Sequence, residues 1–185
     1  IRKELKTNYP FTSTCDTQTI IAAYMEWGIS CVEKFEGMFA IALYDRECNK
    51  LFLIRDRMGK KPLYYWVTGD GIYWGSGLSV LCQIPQFDKS INKKCMPQYL
   101  NNLYISGKNS IFENVYKVQP GEILTFCDGK IESEKYWDIA KVYGENKGLF
   151  KGNYNDALAE FGSRLEEAVK KRLVADVPVG AFLSG

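Results

Sequence analysis

Two places in this sequence pair residue types that can do chemistry with a backbone setting able to aim them. The first is Cys15-Asp16-Thr17, which opens an apolar-periodic stretch and so places a thiol and a carboxylate at a helix start. A carboxylate there reads as an ordinary N-cap aspartate, in a place where backbone N–H groups favour negative charge. The second is Leu183-Ser184-Gly185, which ends the apolar run from Val179. A small-residue loop after a buried strand commonly cradles phosphate, and its plainer reading is a strand ending in a Ser-Gly turn.

The remaining reactive residues read more simply. Arg55 and Asp56 suit a structural ion pair or turn at a strand end, and Lys60, Lys61, Lys93 and Lys94 suit solvated surface positions. Cys15, Cys31, Cys48, Cys82, Cys95 and Cys127 are scattered without a C-x-x-C pair and read as reduced thiols of a cytosolic protein. Cys15 is expected to be a small packed residue, because a reactive thiol needs an exposed, electropositive setting. The chain contains no histidine, so Ser-His-Asp and Cys-His catalysis, imidazole-ligated zinc and histidine pH switching lie beyond this chain alone. No metal-ligand set is expected.

The elements that must position Asp16 come next. Asp16 to Trp27 reads as a helix, with Ile20, Ile21, Tyr24 and Met25 on one stripe, a Ser/Thr/Asp cluster to cap it and Gly28 to end it. Cys31 to Phe35 is a short amphipathic stretch. Gly37 to Tyr44 and Leu51 to Ile54 read as buried strands joined by the polar turn Asp45 to Lys50, an antiparallel hairpin. Leu63 to Val67 and Ile72 to Ser76 flank a turn holding Asp70-Gly71, and Ile123 to Phe126 and Lys130 to Trp137 flank Asp128-Gly129. Both dipeptides predict type I′ hairpins, which need positive φ at the two central residues. Tyr64, Tyr65 and Trp66 face Tyr73 and Trp74 across the first of these, a pattern of cross-strand packing. Leu78 to Cys82 and Lys94 to Leu103 read as helices, the second with Pro97 in its first turn.

Hairpins with helices grouped around them describe an α+β layered domain over residues 1–138. Residues 139–153, rich in glycine and polar side chains, read as a linker. Residues 154–185 then carry the strongest helix of the chain, Tyr154 to Leu173, and the strand Val179 to Leu183, the opening of an α/β domain.

Size and composition agree. At 185 residues and 21.1 kDa the chain has room for one ordinary domain and part of another. Its 46% hydrophobic and 25% charged residues exclude a disordered or fibrous protein. A net charge of +2 predicts no nucleic-acid partner, and no apolar run approaches a membrane span of about 20 residues. The chain opens on Ile1 and stops directly after an apolar stretch, so both ends are expected to be cuts in a longer, cytoplasmic protein.

Several blocks, in this order, resemble the asparagine synthetase family of glutamine-dependent amidotransferases. They are Cys15-Asp16-Thr17, GMFAIALYD at Gly37 to Asp45, RDRMGKKPLYY at Arg55 to Tyr65, and YISGKNSIFENVYKVQPGE at Tyr104 to Glu122. KYWD at Lys135 to Asp138 and ADVPVGAFLSG at Ala175 to Gly185 complete the set. The resemblance implies an N-terminal-nucleophile glutaminase of α/β/β/α layering, represented by its C-terminal part. The first helix and strand of an ATP-pyrophosphatase-type synthetase domain follow it.

It also implies chemistry: a cysteine upstream of this chain releases ammonia from glutamine, and a second domain uses ATP and Mg²⁺ to adenylate aspartate or another carboxylate that the ammonia attacks. Within this chain it gives Asp16 the α-amino group of glutamine and gives Leu183, Ser184 and Gly185 the nucleotide phosphates. No residue of this chain is assigned catalytic chemistry, and a homodimer falls within what the family implies. Gln18 stands where the family usually has glutamate, and Ser76-Gly77-Leu78-Ser79 where it usually has Ser-Glu-x-Lys. A degenerate, non-catalytic interaction module and a glutaminase serving a different acceptor are the rival readings.

Overall fold

The computed structural model describes residues 1–5 and 8–183, which divide into two compact units, Ile1–Ile139 and Ala140–Gly185. The first unit begins with helices α1 (Arg2–Leu5) and α2 (Asp16–Trp27), continued by a 3₁₀ segment over Gly28–Lys34. Strands β1 (Ala40–Asp45), β2 (Lys50–Arg55), β3 (Tyr64–Thr68) and β4 (Gly71–Gly75) follow as two hairpins. After α3 (Leu78–Leu81), a 3₁₀ turn over Lys93–Cys95 and α4 (Met96–Asn102) come β5 (Val115–Lys117), β6 (Glu122–Cys127) and β7 (Lys130–Lys135).

The strands form two antiparallel sheets, ordered β1-β2-β6-β7 and β4-β3-β5. Side-chain alternation sorts three apolar layers from them. Leu51 and Leu53 of β2 meet Tyr65 of β3 and Leu63 between the sheets, whereas Phe52 and Ile54 point the other way, into a cluster with Ala22, Ala23 and Val32. On the far side of the second sheet, Val115 joins Leu81 and Phe87, with Trp66 stacked on Tyr73 at 5.3 Å. Two buried faces explain why β2 reads as an unbroken apolar run. The order helix, sheet, sheet, helix is the expected four-layer sandwich, and the aromatic residues of β3 and β4 pack across the strands as predicted.

The two Asp-Gly hairpins differ. Asp128 (φ 49°) and Gly129 (φ 74°) occupy the central positions of a tight turn with positive φ at both, as type I′ requires. In the other hairpin Thr68 pairs with Gly71, so the loop is Gly69-Asp70 and neither residue has positive φ. The register there is shifted by one from the expectation, because Thr68 takes over the turn: its hydroxyl accepts the Asp70 N–H at 3.3 Å and donates to the Gly71 carbonyl at 3.3 Å.

Gly121 marks a close approach between β6 and the chain after β7. Its φ is +67°, and a Cβ there would stand 2.2 Å from the Trp137 carbonyl oxygen. Gly121→Ala is therefore expected to cost about 2 kcal/mol, read as a lower urea midpoint at unchanged slope.

Asp45, at the end of β1, ties the first hairpin to α2. It accepts the Tyr24 hydroxyl at 2.7 Å and the Glu47 and Cys48 N–H groups at 2.9 and 3.3 Å. The Tyr24 bond, with those from Cys48 and Glu47, holds its carboxyl down at about 2, below the ordinary 3.8. A depressed carboxyl adds stability above its unfolded pKa and loses it as pH falls toward the folded value. Stability from this bond is thus expected to fall between about pH 4 and pH 2, and Tyr24→Phe to flatten that slope in urea titrations at pH 5 and pH 2.5.

The second unit differs from the expectation in two places. The stretch 139–153 is not wholly a linker: α5 (Ile139–Asn146) occupies its first half, closed by Asn146 Nδ2 donating to the Val142 carbonyl at 2.8 Å. Val179–Leu183 forms no strand, for no other described segment pairs with it and a strand is made by its neighbour. Helix α6 (Tyr154–Lys170) is present and begins with a capping box, Asn153 accepting the Asp156 N–H at 3.1 Å while Asp156 accepts the Asn153 N–H at 3.0 Å. Its stripe of Leu158, Phe161, Leu165 and Val169 is exposed. No helix among the described residues is long and apolar enough to cross a membrane.

Candidate functional site

Asp16 is the first residue of α2, not its cap: the N-cap is Cys15. The loop before the helix is organised instead by Gln18, which accepts the Ser13 N–H and hydroxyl at 3.2 and 3.1 Å and donates to Thr12 Oγ1 at 3.3 Å. The Ser/Thr cluster therefore binds a helix side chain rather than the helix N–H groups. Asp16 is left with a carboxylate that pairs with no other described side chain, in a first turn whose orphan N–H groups favour negative charge.

That carboxylate lines a cavity of about 290 Å³. Ile1 lines it with Thr19 and Ile20 of α2, and Phe35, the Glu36–Met38 loop, Phe39 and Ile41 of β1 complete the lining. The helix sits close enough to frame the cavity because Ala22 and Ala23, both fully packed, bring its backbone down onto Phe52 and Ile54. Glu36, a second carboxylate in the wall, lay on a loop without periodicity, so nothing in the sequence pattern marked it.

The opposite wall is fixed by the RDR motif. The Asp56 N–H donates to the Phe39 carbonyl at 3.0 Å, and Arg57 Nη2 donates to the Glu33 carbonyl at 2.7 Å. Asp56 itself is 1% exposed and its carboxylate accepts three backbone N–H groups, from Met58 at 3.2 Å and from Lys60 and Lys61 at 2.9 Å. Arg55 points the other way and donates to the Gly59, Lys61 and Val118 carbonyls at 2.7, 3.0 and 2.7 Å. The structural reading of Arg55 and Asp56 holds, with one change: they bind backbone rather than each other. Gly59, at φ +63°, packs a missing Cβ against Pro120 and the Arg55 guanidinium within this knot.

Cys15 is exposed, contrary to the packed position expected of it, because α2 turns its buried stripe away from the N-cap. The Thr17 hydroxyl and N–H lower its thiol pKa, whereas burial pushes Cys31 up to about 11. Iodoacetamide is expected to label Cys15 at least roughly tenfold faster than Cys31, as read by peptide mass mapping. No cysteine among the described residues lines the Asp16 cavity.

Of the residues expected at the nucleotide, Leu183 lies in the second unit and is almost fully exposed, and Ser184 and Gly185 fall outside the described residues. Among the described residues no group of three or more His, Cys, Asp or Glu is placed to hold a metal ion.

Comparison with known proteins gives this geometry a context. Residues 160–185 match the family described as asparagine synthase. Asparagine synthetase [glutamine-hydrolyzing] 3 of Bacillus subtilis is 30% identical over all of this chain and 30% of its own length. A putative asparagine synthetase [glutamine-hydrolyzing] 2 of Methanocaldococcus jannaschii is 34% identical over 97% of this chain and 35% of its own. The chain thus spans about a third of the length of these relatives. Among solved structures, glutamine phosphoribosylpyrophosphate amidotransferase of B. subtilis, complexed with ADP and GMP, superposes with a TM-score of 0.51. The likeness covers 74% of this chain and 26% of that one at 16% identity. It shows the fold, and with the four layers described above it bears out the expected N-terminal-nucleophile α/β/β/α sandwich for the first unit. Residues 1–137, which hold Asp16, its cavity and the RDR knot, match the glutamine amidotransferase domain model, and the chain belongs to that family.

Proposed function

We propose that the protein carrying this chain is an ATP-dependent, glutamine-hydrolysing ligase that forms an amide, with aspartate as acceptor. The observation that carries the reading is order: a glutamine amidotransferase match over residues 1–137 is followed in one chain by an asparagine synthase match over residues 160–185. A glutaminase joined to a synthetase domain is the arrangement by which ammonia released in one is consumed in the other. The domain division that goes with it is residues 1–138 for the glutaminase part, 139–153 as connection and 154–185 as the start of the synthetase. The setting is cytoplasmic and the assembly a homodimer.

In this reading Asp16 holds the α-ammonium of glutamine. Its carboxylate pairs with no other described side chain and lies beside a cavity with room for an amino acid, and the N–H groups of the first turn of α2 favour a negative charge there. Thr19, Ile20 and the Glu36–Phe39 loop then confine the substrate's stem, and the RDR knot holds that loop in place without touching substrate. Leu183, Ser184 and Gly185 open the loop that meets the ATP phosphates. ATP, bound with Mg²⁺, supplies the activation of the acceptor carboxylate.

The test is to incubate the whole protein with glutamine, ATP-Mg²⁺ and aspartate and follow glutamate, AMP and asparagine together. Equimolar formation of all three is expected. Glutamate without asparagine would transfer the reading to a different acceptor, and absence of all three products would favour a non-catalytic module.

A further inference from the structure

A second cavity, of about 440 Å³, lies on the outer face of the smaller sheet, and the glutaminase reading makes no use of it. Its floor is the pair Tyr64 of β3 and Lys117 of β5, which are register partners with side chains on the same face. Tyr99 of α4 and the loop Tyr104–Ile111 make its walls, and Leu78 closes one side. The loop is fastened rather than loose. Gln98 of α4 accepts the Ser106 N–H at 3.2 Å and donates to the Ser106 hydroxyl, while the Lys117 N–H donates to the Lys108 carbonyl at 2.7 Å.

The polar groups of this cavity are unbalanced. Ser110 is spent on its own loop, its hydroxyl donating to the Phe112 carbonyl and accepting the Phe112 N–H, each at 3.1 Å. Lys117 Nζ donates to the Ile105 carbonyl, one of the three donors an ammonium has. It forms no salt bridge with a described carboxylate, and the charged group acting on it most strongly is the repelling Arg55. Burial lowers the affinity of this amine for its proton, and Arg55 lowers it further. A half-buried cation with spare donors and no described counter-charge, in a cavity whose other side chains are phenol rings, aliphatic groups and a Ser110 hydroxyl already bonded within its loop, is complementary to an anion with an apolar body.

We propose that this cavity binds a small organic carboxylate bearing an aromatic or aliphatic body. Lys117 pairs with the carboxylate, and the rings of Tyr64, Tyr99 and Tyr104 with the side chains of Leu78 and Ile105 take the body. The volume suits a metabolite of this class and exceeds what a bare inorganic anion fills.

The experiment is ligand-observed ¹⁹F NMR on the whole protein with 4-fluorobenzoate as probe and benzoate, inorganic phosphate and glutamine as competitors. Line broadening of the probe, reversed by benzoate and not by glutamine or phosphate, is expected. Lys117→Met, which keeps the aliphatic stem, is expected to weaken binding at least roughly tenfold. Tyr104→Ala, at a residue 61% exposed and therefore neutral to folding, is expected to weaken it several-fold. The proposal fails if the wild-type protein does not broaden the probe, if phosphate displaces it as well as benzoate does, or if both variants bind as the wild type does. Weak binding in Lys117→Met beside wild-type binding in Tyr104→Ala would mark a lysine that only fastens the Ile105 loop, and would likewise overturn the proposal. The readout needs no glutamine turnover, so its outcome is independent of the proposed ligase activity.

Discussion

Asp16→Ala is expected, if Asp16 holds the substrate ammonium as proposed, to lower kcat/KM for glutamine hydrolysis by the whole protein roughly 10³-fold, because that ammonium would lose its partner inside a walled cavity. Asp16→Asn keeps the size and one acceptor oxygen but loses the charge, and a fall of roughly 10²-fold is expected. The loss belongs mainly in KM, since the α-ammonium lies away from the reacting amide and is held alike in ground and transition states. Amide synthesis supplied with ammonium chloride in place of glutamine is expected to proceed at the wild-type rate. That control separates substrate capture from damage to the fold. Unchanged glutamine hydrolysis in Asp16→Ala would remove Asp16 from the site.

The largest loss of stability is expected from Asp56→Ala, about 4 kcal/mol in urea unfolding, because three backbone N–H groups in a buried turn lose their acceptor at once. Asp56→Asn retains one acceptor oxygen and places an NH₂ against a donor, and about half that loss is expected. On the proposed reading the same variants should also weaken glutamine binding, although Asp56 does not line the Asp16 cavity. The Asp56 N–H holds the Phe39 carbonyl, so slackening of the turn reaches the wall facing Asp16. A stability loss below about 1 kcal/mol in Asp56→Ala would show that water replaces the carboxylate, and the knot would then not be what fixes the wall.

Both predictions rest on residues that were visible in the sequence for different reasons. Asp16 stood out through its place before an apolar stripe, and the structure puts it where that stripe predicts, in the first turn of α2. Arg55 and Asp56 were legible as a strand-end turn, but their reach was not. Val118 and Phe39, bonded by Arg55 and Asp56, and Glu33, bonded by Arg57, lie far from the motif along the chain, and the last two meet it only through the β1–β2 pairing and the packing of the 3₁₀ segment. Gln18, a departure from the pattern its neighbours resemble, organises the loop before α2. Cys15 is exposed rather than packed because a residue's exposure at a helix start depends on which face the helix turns to its sheet.

What local sequence determined here was the identity and face of most elements. The unbroken apolar run of β2, the stripe of α2, Asp128-Gly129 and the capping box of α6 each carry their own periodicity or turn chemistry within a few residues. Tertiary structure decided what those elements enclose. The short β5 has too few residues to announce itself and exists through its pairing with β3; the Val179–Leu183 run has strand composition but pairs with no neighbour among the described residues. The two cavities, one around Asp16 and one above Lys117, are bounded by loops whose course is set by hydrogen bonds to distant backbone. Local propensity acts between near neighbours in the chain, whereas a cavity wall is held by contacts that form only once the sheets have stacked.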